Sequence, residues 1–381
     1  MIQRGLLSRR ARLFAAPFLV LATGGLLRPL AAGSAGTTAA DKELGKKALG
    51  VLMARLRDPS APVRAAAAQS WGAIGNPAAL PVLRKALKDP DAYVRIAAAF
   101  SLDTLGDQRG FKALAAIALE GAGSSRSGDP VAELKLLAKN RARASAIEKL
   151  SLIGGVDAVR VMEKTLVDAS DTVQDATKIA LAHLGFFDEY GAPFVTALGD
   201  PDQGVRAAAA AALGRIQRAE ALPALIKAAN DPVANVRMAV MAALGKFDDP
   251  ADPAATAALR AGAADVDSRV RFKAFVALSG LKDDGSIALL KAALAKNPTP
   301  EILLPVLRGL AERGQTIDLS LVSVNLAQPD PDLRAIAVRA LEAVPGAAAN
   351  ALLKREMEKD ASKRLQIEAA KALVTRLEKM P

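Results

Sequence analysis

The chain has no cysteine, a single histidine (His183) and a single tryptophan in 381 residues, and aromatic side chains make up only 3% of it. Without cysteine there is no disulfide, no thiolate metal site, no cysteine nucleophile and no lipid-modified cysteine anchor. One histidine rules out any site built on two imidazoles, and a zinc site would have to be made from carboxylates. His183 therefore reads as a surface or hydrogen-bonded histidine. No Gly-x-x-x-x-Gly-Lys-Ser/Thr phosphate loop occurs. The acidic clusters Asp188-Glu189, Asp248-Asp249 with Asp252, and Asp283-Asp284 lack calcium-loop spacing and read as helix caps in turns. No catalytic set can be assembled, so the expectation is a non-enzyme with no cofactor and no metal.

What is plentiful is aliphatic. Hydrophobic residues make up 51% of the chain, mostly alanine and leucine, a mixture suited to close helix–helix contact and poor for β-sandwiches. Net charge is +11, but residues 1–40 hold Arg4, Arg9, Arg10, Arg12 and Arg28 and no acid. The rest carries 46 basic against 40 acidic residues, too mild an excess to argue for nucleic acid.

The first forty residues form a separate segment. Arginines up to Arg12 precede an apolar run, Leu13 to Leu27, and small residues follow up to Ala40. A basic start, a short apolar run and a small-residue exit are the parts of a secretory signal, with cleavage expected after Ala35 or Ala40. Ser8-Arg9-Arg10 also resembles a twin-arginine export signal, so either export route is open. The apolar run is 15 residues with Pro17 inside it, short of the roughly 20 that span a bilayer. An uncleaved anchor and a mitochondrial transit peptide are the competing readings. With processing, the expectation is a periplasmic or secreted protein with no stable membrane span.

From residue 41 onward the chain repeats. Asp58-Pro59-Ser60-Ala61-Pro62-Val63-Arg64 returns from Asp89 to Arg95, from Asp200 to Arg206 and from Asp231 to Arg237, with a looser copy from Asp265 to Arg271. Degenerate copies begin at Leu137, Asp168, Asn297, Gln328 and Asp360. The ten starts are 31, 48, 31, 32, 31, 34, 32, 31 and 32 residues apart. The wide gap holds a Gly/Ser-rich stretch, so a flexible insertion is expected near 121–136. Counting each start as position zero, apolar residues fall at +5, +9, +13 and +16, as in Val94, Ala98, Leu102 and Leu105. Those steps trace one face of a helix. A second amphipathic segment precedes each Asp-Pro, whose proline disfavours helix at the residue before it. Gly75, Gly106, Gly154 and Gly185 at +17 suit the turn leaving the helix. One helix pair cannot bury its own stripe, so the pairs must stack. The expected fold is all-α, a right-handed solenoid of about ten stacked helix pairs over residues 41–381.

The Asp-Pro-x-x-x-Val-Arg start, the alanine-rich helix and the glycine exit resemble HEAT repeats, most closely the bacterial HEAT-like type named after phycobiliprotein lyases. The resemblance implies antiparallel helix pairs in a curved superhelix, with the second helices on the concave side. It also implies a structural ladder of position-zero aspartates and +6 arginines: Asp58 and Arg64, Asp89 and Arg95, Asp200 and Arg206, Asp231 and Arg237, Asp265 and Arg271. The pattern lapses at Gln174, Leu303 and Gln366, where the +6 arginine is missing.

The functional expectation is a scaffold that binds a protein or peptide along its inner surface. Candidate partner-binding residues are the +7 and +11 side chains that step off the core stripe: Met238, Phe272 with Val276, Leu304 with Arg308, and Ile96 with Phe100. Packing of these side chains between adjacent repeats is the competing reading. Nucleic-acid binding, against which the near-balanced charge counts, and a chromophore-lyase subunit or chaperone of the phycobilin type are the alternative functions.

Overall fold

The structure is a computed structural model and describes residues 38–121, 129–247, 252–281, 283–296 and 298–377. They lie in one compact unit, Thr37–Pro381. Among them every regular element is helical. The expected export segment lies outside the described residues up to position 37.

Ten helix pairs follow one another. They are α1 (Ala39–Arg55) with α2 (Ala61–Ile74), α3 (Leu80–Ala86) with α4 (Ala92–Thr104), and α5 (Arg109–Leu119) with α6 (Pro130–Ile153). Next come α7 (Gly155–Thr165) with α8 (Asp171–His183), and the short α9 (Phe187–Tyr190) and α10 (Ala192–Ala197) with α11 (Gln203–Ile216). Then come α12 (Leu222–Ala228) with α13 (Ala234–Leu244), α14 (Pro253–Gly262) with α15 (Ser268–Gly280), and α16 (Asp284–Ala295) with α17 (Pro300–Ala311). The last pairs are α18 (Leu319–Leu326) with α19 (Pro331–Ala343) and α20 (Ala347–Lys359) with α21 (Lys363–Leu377).

The turns are built by paired carboxylates. Position-zero aspartates accept the N–H two residues on, as Asp89 does from Asp91 at 2.9 Å and Asp231 from Val233 at 2.8 Å. Where position +2 is also aspartate it caps the second helix: Asp91 accepts from Tyr93, Asp202 from Gly204, Asp267 from Arg269 and Asp330 from Asp332. Such caps satisfy N–H groups that have no partner inside the helix. At the other end, Gly75, Gly106 and Gly185 take positive φ (+80°, +81° and +107°), as the exit turn requires. Gln217 holds the same register with φ +53° and is held by a bond from its side chain to the Lys246 carbonyl.

Two sequence expectations change. Leu137 does not open a turn: α6 is one helix of 24 residues, and Leu137 lies inside it, 41% exposed. Leu137-Ala138 has neither aspartate nor proline, one or both of which the other nine starts carry, so nothing stops the helix there. The expected insertion at 121–136 is accordingly helical from Pro130 on, and its residues 122–128 lie outside the described ones.

The second helices pack side by side through small residues. A Cβ added at Gly214 would stand 2.7 Å from the Cα of Ala243, and one at Gly309 2.8 Å from that of Ser279. Positions +12 and +14 are small in most repeats because neighbouring backbones approach there.

The ends of the solenoid meet. The helix α1 packs chiefly against α21, and α21 also touches α2, so the ten second helices form a closed circuit. Ala48, Leu52 and Trp71 share one buried cluster with Leu365, Leu373 and Leu377. Fully burying a leucine contributes about 1.5–3 kcal/mol, and Leu52, at 0% exposure, is buried in the cluster that α21 shares. Polar contacts complete the seam: Lys363 reaches Asp58 at 2.9 Å, Lys47 reaches Glu358 at 2.6 Å, and Arg55 bonds Gln366.

Candidate interaction face

The side chains that leave the core fix which face a partner meets. On the second helices, the +5, +9 and +13 stripe is largely buried, while every +4 side chain is exposed and most at +11 and +15 are exposed or half-buried. Contact density within the circuit identifies the inner side. Second helices pack on their neighbours all the way round, whereas the first helices touch one another sparsely, as expected of a wider outer ring. Arg215 of the fifth repeat reaches Glu148 of the third at 3.4 Å, passing over the fourth. Residues two repeats apart meet only across a concave surface.

The expected partner-binding residues divide. Val276 is 43% exposed, and Arg308 is exposed and paired with Glu312 at 2.8 Å. Met238, Phe272 and Phe100 are half-buried, with Lys149 Nζ 5.1 Å from the Phe100 ring and Lys273 Nζ 5.4 Å from that of Phe272. Two expectations are corrected: Leu304 is 0% and Ile96 3% exposed, so both belong to the core. Position +7 leans toward the following repeat: Leu304 shares a cluster with Ala335 and Val338, and Ile96 one with Ile147 and Leu150. The exposed rows are +4 and +11, with +15 beside them, a step away from the +7 row.

Two hollows mark the inner face. One of about 120 Å³ is lined by Glu148, Ile179, His183, Arg215 and Lys246. His183 is half-buried there, and its Nδ1–H donates to the Ile216 carbonyl at 2.9 Å. The other, about 320 Å³, crosses the seam and is lined by Gln69, Arg339, Glu342, Arg364, Glu368 and Lys371. Its charges interlock: Arg364 and Arg339 approach Glu368 at 3.3 and 3.8 Å, and Lys371 approaches Glu342 at 3.4 Å. Among the described residues no group of three His, Asp or Glu side chains could hold a metal ion, and no helix is long and apolar enough to cross a membrane.

The ladder runs along the edge formed by the Asp-Pro turns, and five of its arginines reach forward to the next repeat. Arg64 clasps Asp89 through Nε at 2.7 Å and Nη2 at 2.8 Å, while its Nη1 donates to the carbonyls of Asp58 and Pro59. Arg206 holds Asp231, Arg237 holds Asp265 and Arg334 holds Asp360 in the same two-point way. Arg143, 2% exposed, clasps Asp168 from inside α6. The arginine bonds hold Asp89, Asp168, Asp231 and Asp265 below the usual carboxylate range, and the Lys363 bond does the same for Asp58. Asp200 has no arginine, because Gln174 precedes it in the ladder and bonds the Asp168 carbonyl instead.

A second set of bonds, unseen from the sequence, ties helix ends together. Ser101 Oγ donates to the Ala68 carbonyl at 2.9 Å, Arg313 to that of Ser279 at 2.9 Å, and Arg376 to that of Leu341 at 2.9 Å. His183 and Gln217 make equivalent links. These residue types differ too much to read as a motif. Ala68 lies inside α2, but the other acceptors, Ser279, Leu341, Ile216 and Lys246, sit in the last turn of a second helix or just beyond it, where carbonyls lack intrahelical partners.

The model of HEAT repeats matches residues 49–128 and 191–268. The CpcE–CpcF complex of phycocyanin lyase from Nostoc sp. PCC7120 is 28% identical, covering 58% of this chain and 85% of that one, with a TM-score of 0.40. Human deoxyhypusine hydroxylase is 19% identical over 71% of this chain and 97% of its own, with a TM-score of 0.31. An engineered protein is 20% identical over 89% of this chain and all of its own, also at 0.31. No curated protein matches the chain.

Proposed function

Since the chain carries HEAT repeats, we propose that it is a non-catalytic scaffold that binds a protein or peptide segment on its concave face, in an extracytoplasmic compartment. The observation that carries this is the closed circuit of second helices with its inward stripe of exposed side chains. Ten helix axes spaced about 9 Å apart give a ring about 14 Å in radius, and helix bodies fill the outer 5 Å of that. The opening of about 18 Å admits one helix or an extended strand, whereas a folded domain of 100 residues, with a radius of gyration near 13 Å, is too wide. Val276 and Arg308, beside half-buried Phe272 and Met238, give apolar contact and a charge on neighbouring repeats, the kind of cluster in which binding energy concentrates.

Photo-crosslinking tests the face. A photoreactive residue at Val276 or Arg308 should trap one partner segment, while the same residue at Val167 and Val324, exposed on a turn and on a first helix, should not. Equal trapping at all four would overturn the assignment.

The export reading is supported by the arginine-rich, acid-free segment and by the start of α1. Thr38 and Asp41 form a reciprocal capping box, with Asp41 N–H donating to Thr38 Oγ1 at 3.1 Å and Thr38 N–H to Asp41 Oδ2 at 3.2 Å. Cleavage after Ala35 keeps this cap, whereas cleavage after Ala40 removes it and the first two residues of α1. N-terminal sequencing of protein from the native envelope should begin at Gly36. An unprocessed cytoplasmic form would refute export.

A further inference from the structure

Two ladder arginines have no carboxylate to hold among the described residues. Arg95 and Arg271 keep the bonds of their register: Nη1 of Arg271 donates to the carbonyls of Asp265 at 2.8 Å and Val266 at 3.0 Å, and Nη1 of Arg95 does so to Asp89 and Pro90. Their Nε and Nη2 groups, which in Arg64, Arg206, Arg237 and Arg334 clasp an aspartate, meet no acceptor among the described residues. The sequence explains the vacancy. The next repeat begins with Leu137 after Arg95 and with Asn297 after Arg271, so neither fork has an acid in register.

The surroundings of Arg271 make its fork a site. It opens on a groove of about 350 Å³ whose walls include Phe275, Leu289, Ala293 and Ile302, with Lys296 at the rim. Arg260 also lines the groove and is engaged by Asp283. Among the described residues no acid lines it, whereas the neighbouring groove beside Arg237 contains both Asp231 and Asp265. A guanidinium locked by its turn carbonyls, a lysine and an apolar wall without a counter-charge select for a carboxylate attached to something apolar.

We propose that this groove is a docking site for an aspartate-bearing turn of a partner protein, distinct from the concave face. The molecule itself displays the fitting shape. Its own occupants of this register are aspartates that open a turn, each bound by Nε and Nη2 and each accepting the N–H two residues on. A partner turn of the same kind would place its carboxylate on Arg271 and the apolar residue after it against Phe275 and Ile302.

The variant that isolates the fork is also present in the fold. At the same register Gln174 and Gln366 donate Nε2 to their own turn carbonyls, each at 2.7 Å, with no fork. Arg271→Gln should therefore keep the turn and lose the carboxylate clasp. The probe is a fluorescein-labelled peptide copying residues 228–236, Ala-Ala-Asn-Asp-Pro-Val-Ala-Asn-Val, followed by anisotropy at low salt. Expected are saturable binding below about 1 mM, about tenfold weakening by Arg271→Gln with an unchanged melting midpoint, and a similar loss by Arg271→Lys, which keeps the charge but not the two-point geometry. Arg95→Gln should leave binding unchanged, as should changes on the concave face such as Val276→Ser. Full-strength binding of the peptide carrying Asn in place of Asp231, or to Arg271→Gln, would overturn the proposal, and so would the absence of saturable binding. Self-association in sedimentation that Arg271→Gln abolishes would make the occupant a second copy of this chain and overturn the assignment to a partner protein.

Discussion

Replacing ladder arginines with glutamine separates the energy of the carboxylate clasp from that of the turn. Arg237 is the informative position. Its Nη1 bonds the turn carbonyls of Asp231 and Pro232 at 2.8 and 3.1 Å, and its Nε and Nη2 hold Asp265 at 2.7 and 2.9 Å. Glutamine at this register keeps a turn bond, as Gln174 and Gln366 do. Arg237→Gln therefore removes two charge-assisted bonds and leaves Asp265 without its counter-charge. Hydrogen bonds to charged groups are worth about 1.5–3 kcal/mol, and breaking a fully buried pair costs about 3–5. The two side chains are 15% and 11% exposed, so water relieves part of the penalty, and a loss of about 2–3 kcal/mol is expected. Arg95→Gln removes no clasp and should stay within about 0.5 kcal/mol of wild type.

Urea melts of the two variants beside wild type at pH 7 decide this, and repeating them in acid tests the cause. Asp265 has its pKa lowered by the Arg237 bond, so its contribution is complete above the unfolded aspartate value of about 3.9 and is lost as pH falls through the lower folded value. The gap between wild type and Arg237→Gln should be constant from pH 7 to about 5 and close below about pH 3. Equal losses for Arg95→Gln and Arg237→Gln at pH 7 would refute the reasoning, since the turn bond alone would then account for both. A gap that persists undiminished in acid would show that the effect is not the ion pair.

Other outcomes follow from packing. Gly45 lies inside α1, and a Cβ there would sit 3.8 Å from the Leu377 Cβ, the ordinary spacing in a disulfide. In a chain without native cysteine, Gly45→Cys with Leu377→Cys should form a bond on mild oxidation and raise the melting midpoint in a thiol-reversible way; two free thiols after oxidation would mean the circuit is open in solution. Gly45→Ala should stabilise by about 0.5–1 kcal/mol, because a helix interior favours alanine and the added Cβ meets Leu377 at ordinary contact distance. Gly214→Ala should destabilise by about 1–3 kcal/mol, because its Cβ would press on the Ala243 backbone at 2.7 Å. Thermal melts rank the two, and the same sign for both would contradict the close-approach reading. Thr38→Ala should cost about 1 kcal/mol in protein that begins at Gly36, measured by urea melts.

The repeat, its phase and the ladder register were legible because each lives within one 31-residue unit. An Asp-Pro stop, an apolar stripe and a glycine exit are local signals; all three fit α4 and Gly106, whereas α13 ends at Leu244, before the +16 Phe247 of its stripe. Whether a clasp forms depends on two units at once. Arg95 has the motif but meets Leu137, and Asp58 lacks a motif arginine yet is held by Lys363. The concave residues were legible only in part, because +7 and +11 lie on the same side of the helix and differ only in lean. Leu304 and Ile96 tip toward the next repeat and are covered by it, while Val276 and Arg308, four residues on, stay in the open.

Closure was the least legible feature, and the reason is physical. Each repeat adds a small rotation, and whether ten of them complete a turn depends on the sum of inter-repeat angles, none of which is written in any one repeat. Ordinary solenoids end in capping helices with a polar outer face. Here Ala48 and Leu52 of α1 and Leu373 and Leu377 of α21 lie in one buried cluster, so the first and last helices cover each other. The ion pairs Lys47–Glu358 and Lys363–Asp58 fall into register across the seam. The consequence for binding is geometric. A segment bound on the concave face must enter along the axis of the circuit or through a parted seam. Parting it strips Leu52 and Leu377 of cover and leaves Asp58, 3% exposed on its side chain, without its lysine. The disulfide between positions 45 and 377 separates the two routes: a partner that threads its free end should bind the locked circuit as well as the open one, and a partner that enters through the seam should be excluded by it.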